Sequence, residues 1–478
     1  MRTILFSVAF LIGSLSTACR QVNIAHRLEV GAHDSETTAL PKPTPPPAGK
    51  KLLHSADLTY LGAFLVPKQD MGGPQYQGLS YGGSAIAYNP VNHSLFIVGH
   101  DNNQQVAEIS IPAPVNSSTL SDLNTATVIQ NLVDITEGNR LNLKTDGGPI
   151  EVNGVKIGGL LKYGDKLIGS AYAYYDAGHQ AVRSHFRSGL NLATAGDFEG
   201  MFELGSKPTP VPQAGFIGGY MTAIPSNWQA ELGGKVLTGM SALSILGRTS
   251  SGPAAFAFDP DQLGPMPAPV SALLYYPIDH QTIGTYYSSQ TLYNKGSHHS
   301  GVVFPSGTAT ILYTGKHGLG EACYGPGTDI QAEHGNRYNS PPPDNTCRGI
   351  AMTNTADPCC YDPVNFNKGA HAYPYVDFVW AYDAADLARV KAAGRIVDDP
   401  SPNLVDSALP SSTESYKPWH IKPYATWTLT YPTIQEGYGL SSGASAYDDE
   451  NRTLYTVQVM TDNYSLPVIH MFRISTGE

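Results

Sequence analysis

Charged residues are scarce in this sequence, and basic residues are the scarcer kind. Only 14% of the 478 residues are Asp, Glu, Lys or Arg, and 29 basic against 40 acidic residues give a formal net charge of −11. A protein that binds nucleic acid needs a basic patch to neutralise phosphates. The shortage of Lys and Arg therefore argues against nucleic acid as a partner.

Long apolar runs are missing too, apart from one near the N-terminus. Residues 4–18, ILFSVAFLIGSLSTA, follow Arg2 and have the apolar centre and small-residue end of an export signal. The run is too short for a membrane span of about 20 residues, and no other stretch approaches that length. We therefore predict a signal peptide over residues 1–18 and a protein that works outside the cytoplasm.

Cysteine is also rare, and the first of the five cysteines bears on how the protein is exported. Residues 15–19, LSTAC, resemble the lipobox of bacterial lipoproteins, although Ser16 stands where that motif prefers a larger aliphatic residue. The resemblance makes Cys19 a candidate for lipidation at an outer membrane or cell surface. Cleavage after Ala18, which would release a secreted protein, is the alternative. Residues 19–54 include ALPKPTPPPAGKK and are predicted to form a Pro-rich tether.

The other four cysteines, Cys323, Cys347, Cys359 and Cys360, fall in one long stretch, residues 315–374. In an exported chain, two disulfides are favoured over a metal site built from cysteines. The adjacent pair predicts that Cys359 and Cys360 each bond to one of the other two. A loop of this length that is stapled by disulfides is expected to be ordered and to serve a site.

Gly (49), Pro (36) and Tyr (28) are abundant, which suits a β protein with short strands and many turns. Two distant stretches align without a gap: SAIAYNPVNHSLFIV, residues 84–98, and GASAYDDENRTLYTV, residues 443–457. Each has the pattern of a β-hairpin with Asn, Asp or Pro at its turn. Looser copies of the hairpin occur at Gly158–Gly169, Gly218–Met240 and Ser300–Thr314.

A third and a fourth strand follow most of these hairpins, so the repeat unit has four strands. The fifth unit ends after its third strand, and Asp57–Pro67 can supply the strand that is missing. We therefore predict an all-β fold, a five-bladed β-propeller over residues 55–478 that is closed by its N-terminal strand. The irregular spacing leaves six or seven blades open, and a two-sheet sandwich is the alternative fold.

The predicted blades put several reactive side chains on one face. Strands alternate in direction, so the entry to the innermost strand and the loop between the second and third strands share a face. His298 and His299 stand at one such entry. The loops on that face, with the positions just after them, carry His100, Asp101, Tyr174, Tyr175, His179, Arg183, Arg187, Lys316 and His317.

In blade pattern the sequence resembles exported bacterial five-bladed propellers that act on glycans. Histidine, tyrosine and cationic side chains suit β-elimination on a uronic-acid polysaccharide. The expected base and acid are His298 or His299 and Tyr174 or Tyr175. Arg183, Arg187 or Lys316 would bind the carboxylate, and His100, Asp101, His179 and His317 would contact the substrate. We expect a monomer that meets a polysaccharide or oligosaccharide, and a membrane only through its lipid anchor.

Three other hypotheses stay open. The sequence pattern places no pair of carboxylates as a glycoside hydrolase requires, which argues against that class. His100, His298, His299 and His317 could ligate a divalent metal with Asp101 or Glu321, although no short ligand motif such as HExxH is present. A surface propeller that binds glycan or protein without turnover needs no reactive residues, and Tyr and Trp228 would stack on sugars.

Overall fold

The computed structural model describes most of the chain from residue 51 onward. The described residues are 51–68, 71, 78–151, 154–176, 178, 180–205, 214–242, 249–277, 282–284, 292–341, 343–353, 357–393, 416–432, 442–459, 461 and 465–477. The predicted signal peptide, Cys19, most of the tether and His179 lie outside them. Residues 51–54, predicted to end the tether, pack on the fold, where Leu53 is fully buried and donates its backbone N–H to Thr310.

Five antiparallel sheets of four strands each form the five blades of a β-propeller, as the repeat predicts. Blade one contains β2 (Ile86–Asn89), β3 (Ser94–Val98), β4 (Val106–Ser110) and β5 (Val128–Val133). Blade two contains β6 (Val155–Tyr163), β7 (Lys166–Ala173), β8 (Arg183–Gly189) and β9 (Glu199–Glu203). Blade three contains β10 (Met221–Ala223), β11 (Val236–Thr238), β12 (Ala255–Phe258) and β13 (Val270–Leu274).

The last two blades include the long loop and the closure of the ring. Blade four contains β14 (His298–Val303), β15 (Thr310–Gly318), β22 (Tyr375–Asp383) and β23 (Ala425–Thr428). Blade five contains β24 (Ser442–Asp448), β25 (Thr453–Gln458), β26 (Val468–Ile474) and, as its outermost strand, β1 (Leu58–Leu65). The N-terminal strand thus completes the C-terminal blade by pairing antiparallel with β26, which confirms the predicted closure.

Helices are few and short in the part of the chain that the structure describes. The α-helices are α1 (Ala214–Ile217), α2 (Ser226–Leu232) and α3 (Ala384–Ala392), and the 3₁₀ turns are Ser55–Asp57, Leu120–Asp122, Pro260–Gln262, Gln331–Glu333 and Pro418–His420. Within the described residues, no helix combines the length and apolar character needed to cross a bilayer.

The core lies between the faces of neighbouring blades, because each sheet buries both of its faces. The largest fully buried side chains are aromatic and concentrate around blades three and four: Trp228, Trp380, Trp419, Tyr275, Tyr276, Tyr313 and Tyr382. The first and fifth blades are also neighbours, since the Tyr88 and Tyr455 rings stack 5.9 Å apart. The two stretches that match best in sequence are therefore neighbours in the closed ring.

The innermost strands form a ring of contacts around the propeller axis. Each pair of neighbouring blades shares a hydrogen bond there: Ser84 Oγ to Ile157 O, Ser241 Oγ to Gly158 O, His298 Nε2 to Ser241 O, Ser300 Oγ to Gly443 O, and Ala444 N to Gly83 O. Backbones approach closely, and a Cβ on Gly158 would lie 2.2 Å from the carbonyl oxygen of Gly218. Glycine at this position is therefore a steric requirement.

Disulfides staple the long connection from β15 to β22. Disulfides join Cys323 to Cys360 and Cys347 to Cys359, which confirms the predicted pairing of each adjacent cysteine with one of the other two. Six short strands form three two-stranded sheets in this connection: β16 (Cys323–Gly325), β17 (Gly327–Thr328), β18 (Thr346–Cys347), β19 (Ile350–Ala351), β20 (Cys360–Tyr361) and β21 (Gly369–His371). We call residues 319–374 the stapled loop.

Candidate functional site

The candidate site is on what we call the upper face, formed by the entries to the innermost strands and the loops between second and third strands. His298 is the first residue of β14 and pairs across the strands with Lys316 of β15. Directly opposed residues of two paired strands point to the same side of the sheet. The His298 imidazole and the Lys316 ammonium group therefore lie on the same side of the sheet.

His298 is held in one tautomer. Its Nε2 lies 3.1 Å from the backbone carbonyl oxygen of Ser241 in blade three. A carbonyl oxygen only accepts hydrogen bonds, so Nε2 carries the proton and Nδ1 keeps the lone pair. Burial lowers the pKa of His298, the bond to Ser241 opposes this shift, and the Lys316 charge adds to it. The imidazole is therefore neutral at neutral pH and able to take a proton at Nδ1.

Lys316 is a largely shielded cation. Its Nζ lies 4.2 Å from the ring centroid of Tyr375, which is a cation–π contact. Burial lowers the pKa of the ammonium group, whereas the carboxylates of Asp362 and Asp377 act to raise it. Both carboxylates are themselves hydrogen-bonded, Asp362 by His371 and Tyr375. Lys316 thus provides positive charge in a site where water screens it poorly.

His299 is in the core and not at the surface. It is 0% exposed, and its Nδ1 is 3.0 Å from the hydroxyl of Tyr293. The rings of Tyr220, Tyr313 and Trp380 lie 5.4–6.3 Å from its own. Burial, together with the nearby His298, keeps its pKa well below the ordinary value. A polysaccharide cannot reach this imidazole, so we take His298 and not His299 as the candidate base.

His317 is buried as well. Its Nδ1 lies 2.8 Å from Ser297 Oγ, and its ring lies 4.7 Å from that of Phe378. Successive residues of a strand point to opposite faces, so Lys316 and His317 diverge from each other. His317 therefore packs within blade four, in place of the substrate contact expected of it.

Blades one and two meet on the upper face through an ion pair. Lys156 Nζ lies 2.5 Å from Asp101 Oδ2 and also donates to the Asp101 carbonyl oxygen at 3.0 Å. His100 precedes this aspartate, and its ring lies 5.4 Å from that of Tyr81 at the entry to β2. Tyr81 is 51% exposed and presents a ring to solvent beside the pair. His100 and Asp101 therefore lie beside Tyr81 and Lys156 on this face.

Tyr174 and Tyr175 reach solvent from the next loop, with 47% and 50% of their surface exposed. Burial of part of the side chain raises the pKa of Tyr174, and the nearby Tyr324 and Asp101 raise it further. Tyr324 belongs to the stapled loop, and Lys295 Nζ lies 4.3 Å from its ring centroid. The stapled loop of blade four therefore approaches the loop of blade two.

Four residues on this face were not assigned to the site from sequence: Tyr81, Lys156, Lys295 and Tyr324. Tyr324 directly follows Cys323, and Lys295 lies three residues before His298. A search for tyrosine or lysine close to the expected site residues would have found Tyr324 and Lys295, but not Tyr81 and Lys156. The residues that they contact, by contrast, lie in loops that are distant in the chain.

The two arginines are not brought to the innermost part of this face. Arg183 donates to the carbonyl oxygen of Thr145, in the connection from blade one to blade two, and to that of Met201 in β9. Arg187 lies four residues further along β8, where it donates to Leu263 O and lies 3.2 Å from Glu199. Lys316 is therefore the candidate carboxylate ligand that lies beside His298.

The described residues offer little to a metal ion. Three histidines of the metal hypothesis each use a ring nitrogen within the protein: His299 bonds to Tyr293, His317 to Ser297, and His298 to a carbonyl oxygen. Among the residues described, one acidic and sulfur cluster, Glu333 with Cys347 and Cys359, has ligand-like spacing. Its two cysteines form a disulfide, so they provide no thiolates.

Opposed carboxylates are likewise not evident in the part of the upper face that the structure describes. Asp101 is paired with Lys156, and Asp176 accepts the backbone N–H groups of Gln180 and Ala181. Asp377 accepts the hydroxyl of Tyr431. These carboxylates hold loops or neutralise cations, and they do not form the acid and base pair of a hydrolase.

Comparison with known proteins leaves the function to be argued from the site. No family model matches the sequence, and no curated protein does. One solved structure similar to the chain is a protein of unknown function from Dyadobacter fermentans DSM 18053. The TM-score is 0.33 at 9% identity, over 88% of this chain and 100% of that one. Similarity at this level carries no argument about activity.

Proposed function

We propose that the protein is exported and cleaves a uronic-acid polysaccharide by β-elimination on its upper face, with His298 as the base. The observation that carries the proposal is the hydrogen bond from His298 Nε2 to the carbonyl oxygen of Ser241. It keeps a lone pair on Nδ1, and burial lowers the pKa so that this lone pair is available at neutral pH.

The chemistry requires a cation beside the base. In β-elimination the base removes the proton at C5 of the uronate, and the electron pair forms the C4–C5 double bond while the C4–O bond breaks. Negative charge develops on the C6 carboxylate as the proton leaves, and a fixed cation stabilises it. Lys316 lies directly opposite His298 on the paired strand and is largely shielded from water. We therefore assign this role to Lys316.

The leaving oxygen requires a proton, which we assign to Tyr174. Its hydroxyl stays protonated at neutral pH because its pKa is raised above 10.0 by burial and by Tyr324 and Asp101. Tyr175 follows it in the same exposed loop and is the alternative donor. Tyr81, Tyr324 and His100 would line the path of the chain by stacking on sugar rings.

A second candidate function is binding of a glycan without turnover. The half-exposed rings of Tyr81, Tyr174 and Tyr175 favour it, because aromatic faces on a surface are what sugar rings stack against. This hypothesis assigns no chemical role to His298 or Lys316. The two candidates therefore make different predictions for variants at those two positions.

The test is a screen of polyuronates and neutral polysaccharides with the exported protein. Unsaturated uronyl products, measured by ultraviolet absorbance, are the expected result. His298→Ala should reduce kcat/KM at least about 100-fold, the usual contribution of a positioned base. The matched control is His93→Ala. His93 is an exposed histidine in the turn between β2 and β3 of blade one, whereas His298 is in blade four.

Two outcomes would contradict the lyase proposal. One is binding of a polyuronate with no release of product by the wild-type protein, which supports the binding propeller instead. The other is equal activity of the His298→Ala and His93→Ala variants with the fold intact by circular dichroism.

A further inference from the structure

A cavity opens on the face opposite to the proposed site. It has a volume of about 660 Å³ and is lined by the lower halves of all five innermost strands, together with the turns that follow them. This is the size of cavities that hold small ligands. We call it the axial cavity.

The wall of the axial cavity is mostly apolar and aromatic, with a few polar groups. Leu160, Met221 and Phe304 form part of the wall, together with the rings of Tyr88 and Tyr447. The hydroxyl of Tyr447 is shielded from solvent and has no hydrogen-bond partner among the described residues. A hydroxyl that faced this open cavity would touch solvent, so the Tyr447 hydroxyl is directed away from it and the residue contributes its ring atoms to the wall.

Opposite charges line different sides of the axial cavity. Lys162 of blade two has no ion-pair partner within the described part of the chain. Asp449 and Glu450 are exposed carboxylates in the turn after β24 of blade five. Blades two and five are not neighbours in a five-membered ring, so the cation and the carboxylates face each other across the opening.

Asp448 is a different case, because it is already used by the protein. It is fully buried and accepts hydrogen bonds from the backbone and side chain of Asn451. Asp449 also accepts one bond, from the backbone of Ser306, but remains exposed to solvent. The charges available to a ligand are therefore those of Lys162, Asp449 and Glu450.

We propose that the axial cavity binds a small zwitterion with an apolar middle, of the class of short free peptides. Its amino group would lie near Asp449 and Glu450, and its carboxylate near Lys162. The apolar side chain would pack on Leu160, Met221 and Phe304.

The experiment uses isothermal titration calorimetry of the full propeller with a matched peptide series. The probes are Ala-Leu-Ala, its N-acetyl form, which lacks the amino charge, and its C-terminal amide, which lacks the carboxylate. We expect the zwitterion to bind at least tenfold more tightly than either blocked form. Equal binding of the three forms, or no heat of binding with the zwitterion at millimolar concentration, would overturn the proposal.

Variants identify the site. Lys162→Met should abolish the preference for the free carboxylate over the amide, and Glu450→Gln should weaken the preference for the free amine. Ala223→Trp should block binding, because Ala223 lines the cavity and is exposed, so that the larger side chain does not disturb the core. Lys422→Met, at an exposed lysine outside the cavity, is the control. If Lys422→Met and Lys162→Met behave alike, the axial cavity is not the site.

Discussion

Adjacent histidines on one strand have different chemistry because their side chains point in different directions. His298 is directly opposite Lys316, whereas the next residue enters a buried box of aromatic rings. A bulge between His299 and Gly301 then shifts the register. One of the two positions is therefore suited to meet a substrate, and the other stabilises the contact between blades.

This difference predicts the pH dependence of the proposed reaction. The base must be neutral, and burial lowers the pKa of His298 below its ordinary 6.5, so kcat/KM should fall only as the pH drops below 6.5. The cation must be charged, and burial lowers the pKa of Lys316 below 10.5, so activity should fall again before the pH reaches 10.5. We expect a bell-shaped profile between these limits.

Substitution of Lys316 tests whether deprotonation of this residue causes the fall in activity at high pH. Lys316→Arg keeps a positive charge at high pH, because guanidinium does not titrate in the accessible range. The alkaline limb should therefore move upward in this variant while the acid limb stays in place. An alkaline limb that does not move would assign it to another group and would contradict the role given to Lys316.

The stapled loop is the element that brings distant parts of the upper face together. Tyr324 follows the disulfide residue Cys323, and it lies near Tyr174 of another blade. The loop contains a buried hydrogen-bonded group of its own, Asp362 with His371 and Tyr375. Its position depends on its own small core as well as on the propeller.

Removing one disulfide should loosen this loop and leave the blades intact. The Cys323–Cys360 bond closes a separation of 37 residues, so its loss should cost the loop about 4 kcal/mol, against about 3 kcal/mol for the 12-residue Cys347–Cys359 bond. In Cys323→Ser/Cys360→Ser we expect faster hydrogen exchange in residues 319–374, unchanged exchange in the blade strands, and weaker binding of oligosaccharide.

The Cys347→Ser/Cys359→Ser variant is the matched comparison and should show the smaller effect. Exchange that accelerates equally in the loop and in blades one to five would mean that the loop is part of the global folding unit. That result would contradict the separation of the loop from the propeller.

The sequence predicted elements better than the directions of side chains. Five four-stranded units, the N-terminal closing strand and the disulfide pattern follow from repeats and spacing, and the structure confirms them. A repeat does not specify which of two adjacent residues faces solvent, because this depends on register and bulges. The burial of Glu108 likewise could not be predicted from the repeat. It is fully buried and accepts bonds from Asn89, Asn92, Ser94 and Gln130.

At the scale of the whole molecule, the ring is closed by hydrogen bonds between the two ends of the propeller. β1 and β26 pair over nearly their whole lengths, from Leu58 opposite Ile474 to Leu65 opposite Val468. Closure leaves each blade with a neighbour on both sides, so every interface between blades is buried. A titratable group in any of these interfaces therefore affects the stability of the ring as a whole.

Buried histidines occupy three successive interfaces of this ring and should make its stability depend on pH. His185 lies 5.0 Å from Phe258 between blades two and three, His299 is between three and four, and His470 stacks 3.9 Å from Tyr431 between four and five. Burial lowers the pKa of His185 and of His470 to about 3, and that of His299 well below 6.5. All three are neutral in the folded protein at neutral pH.

The unfolded chain binds these protons near pH 6.5, so the free energy of unfolding should decrease as the pH falls from 6.5 toward 3. Each histidine contributes up to about 1.4 kcal/mol per pH unit in this window. Urea unfolding at a series of pH values measures the slope.

His470→Gln removes one titrating group while keeping a side chain that can bond to Tyr60 or Gln458, so the slope should decrease by about 1.4 kcal/mol per pH unit. His93→Ala, at an exposed position, should leave the slope unchanged, and an equal change in both variants would contradict the assignment to buried interfaces.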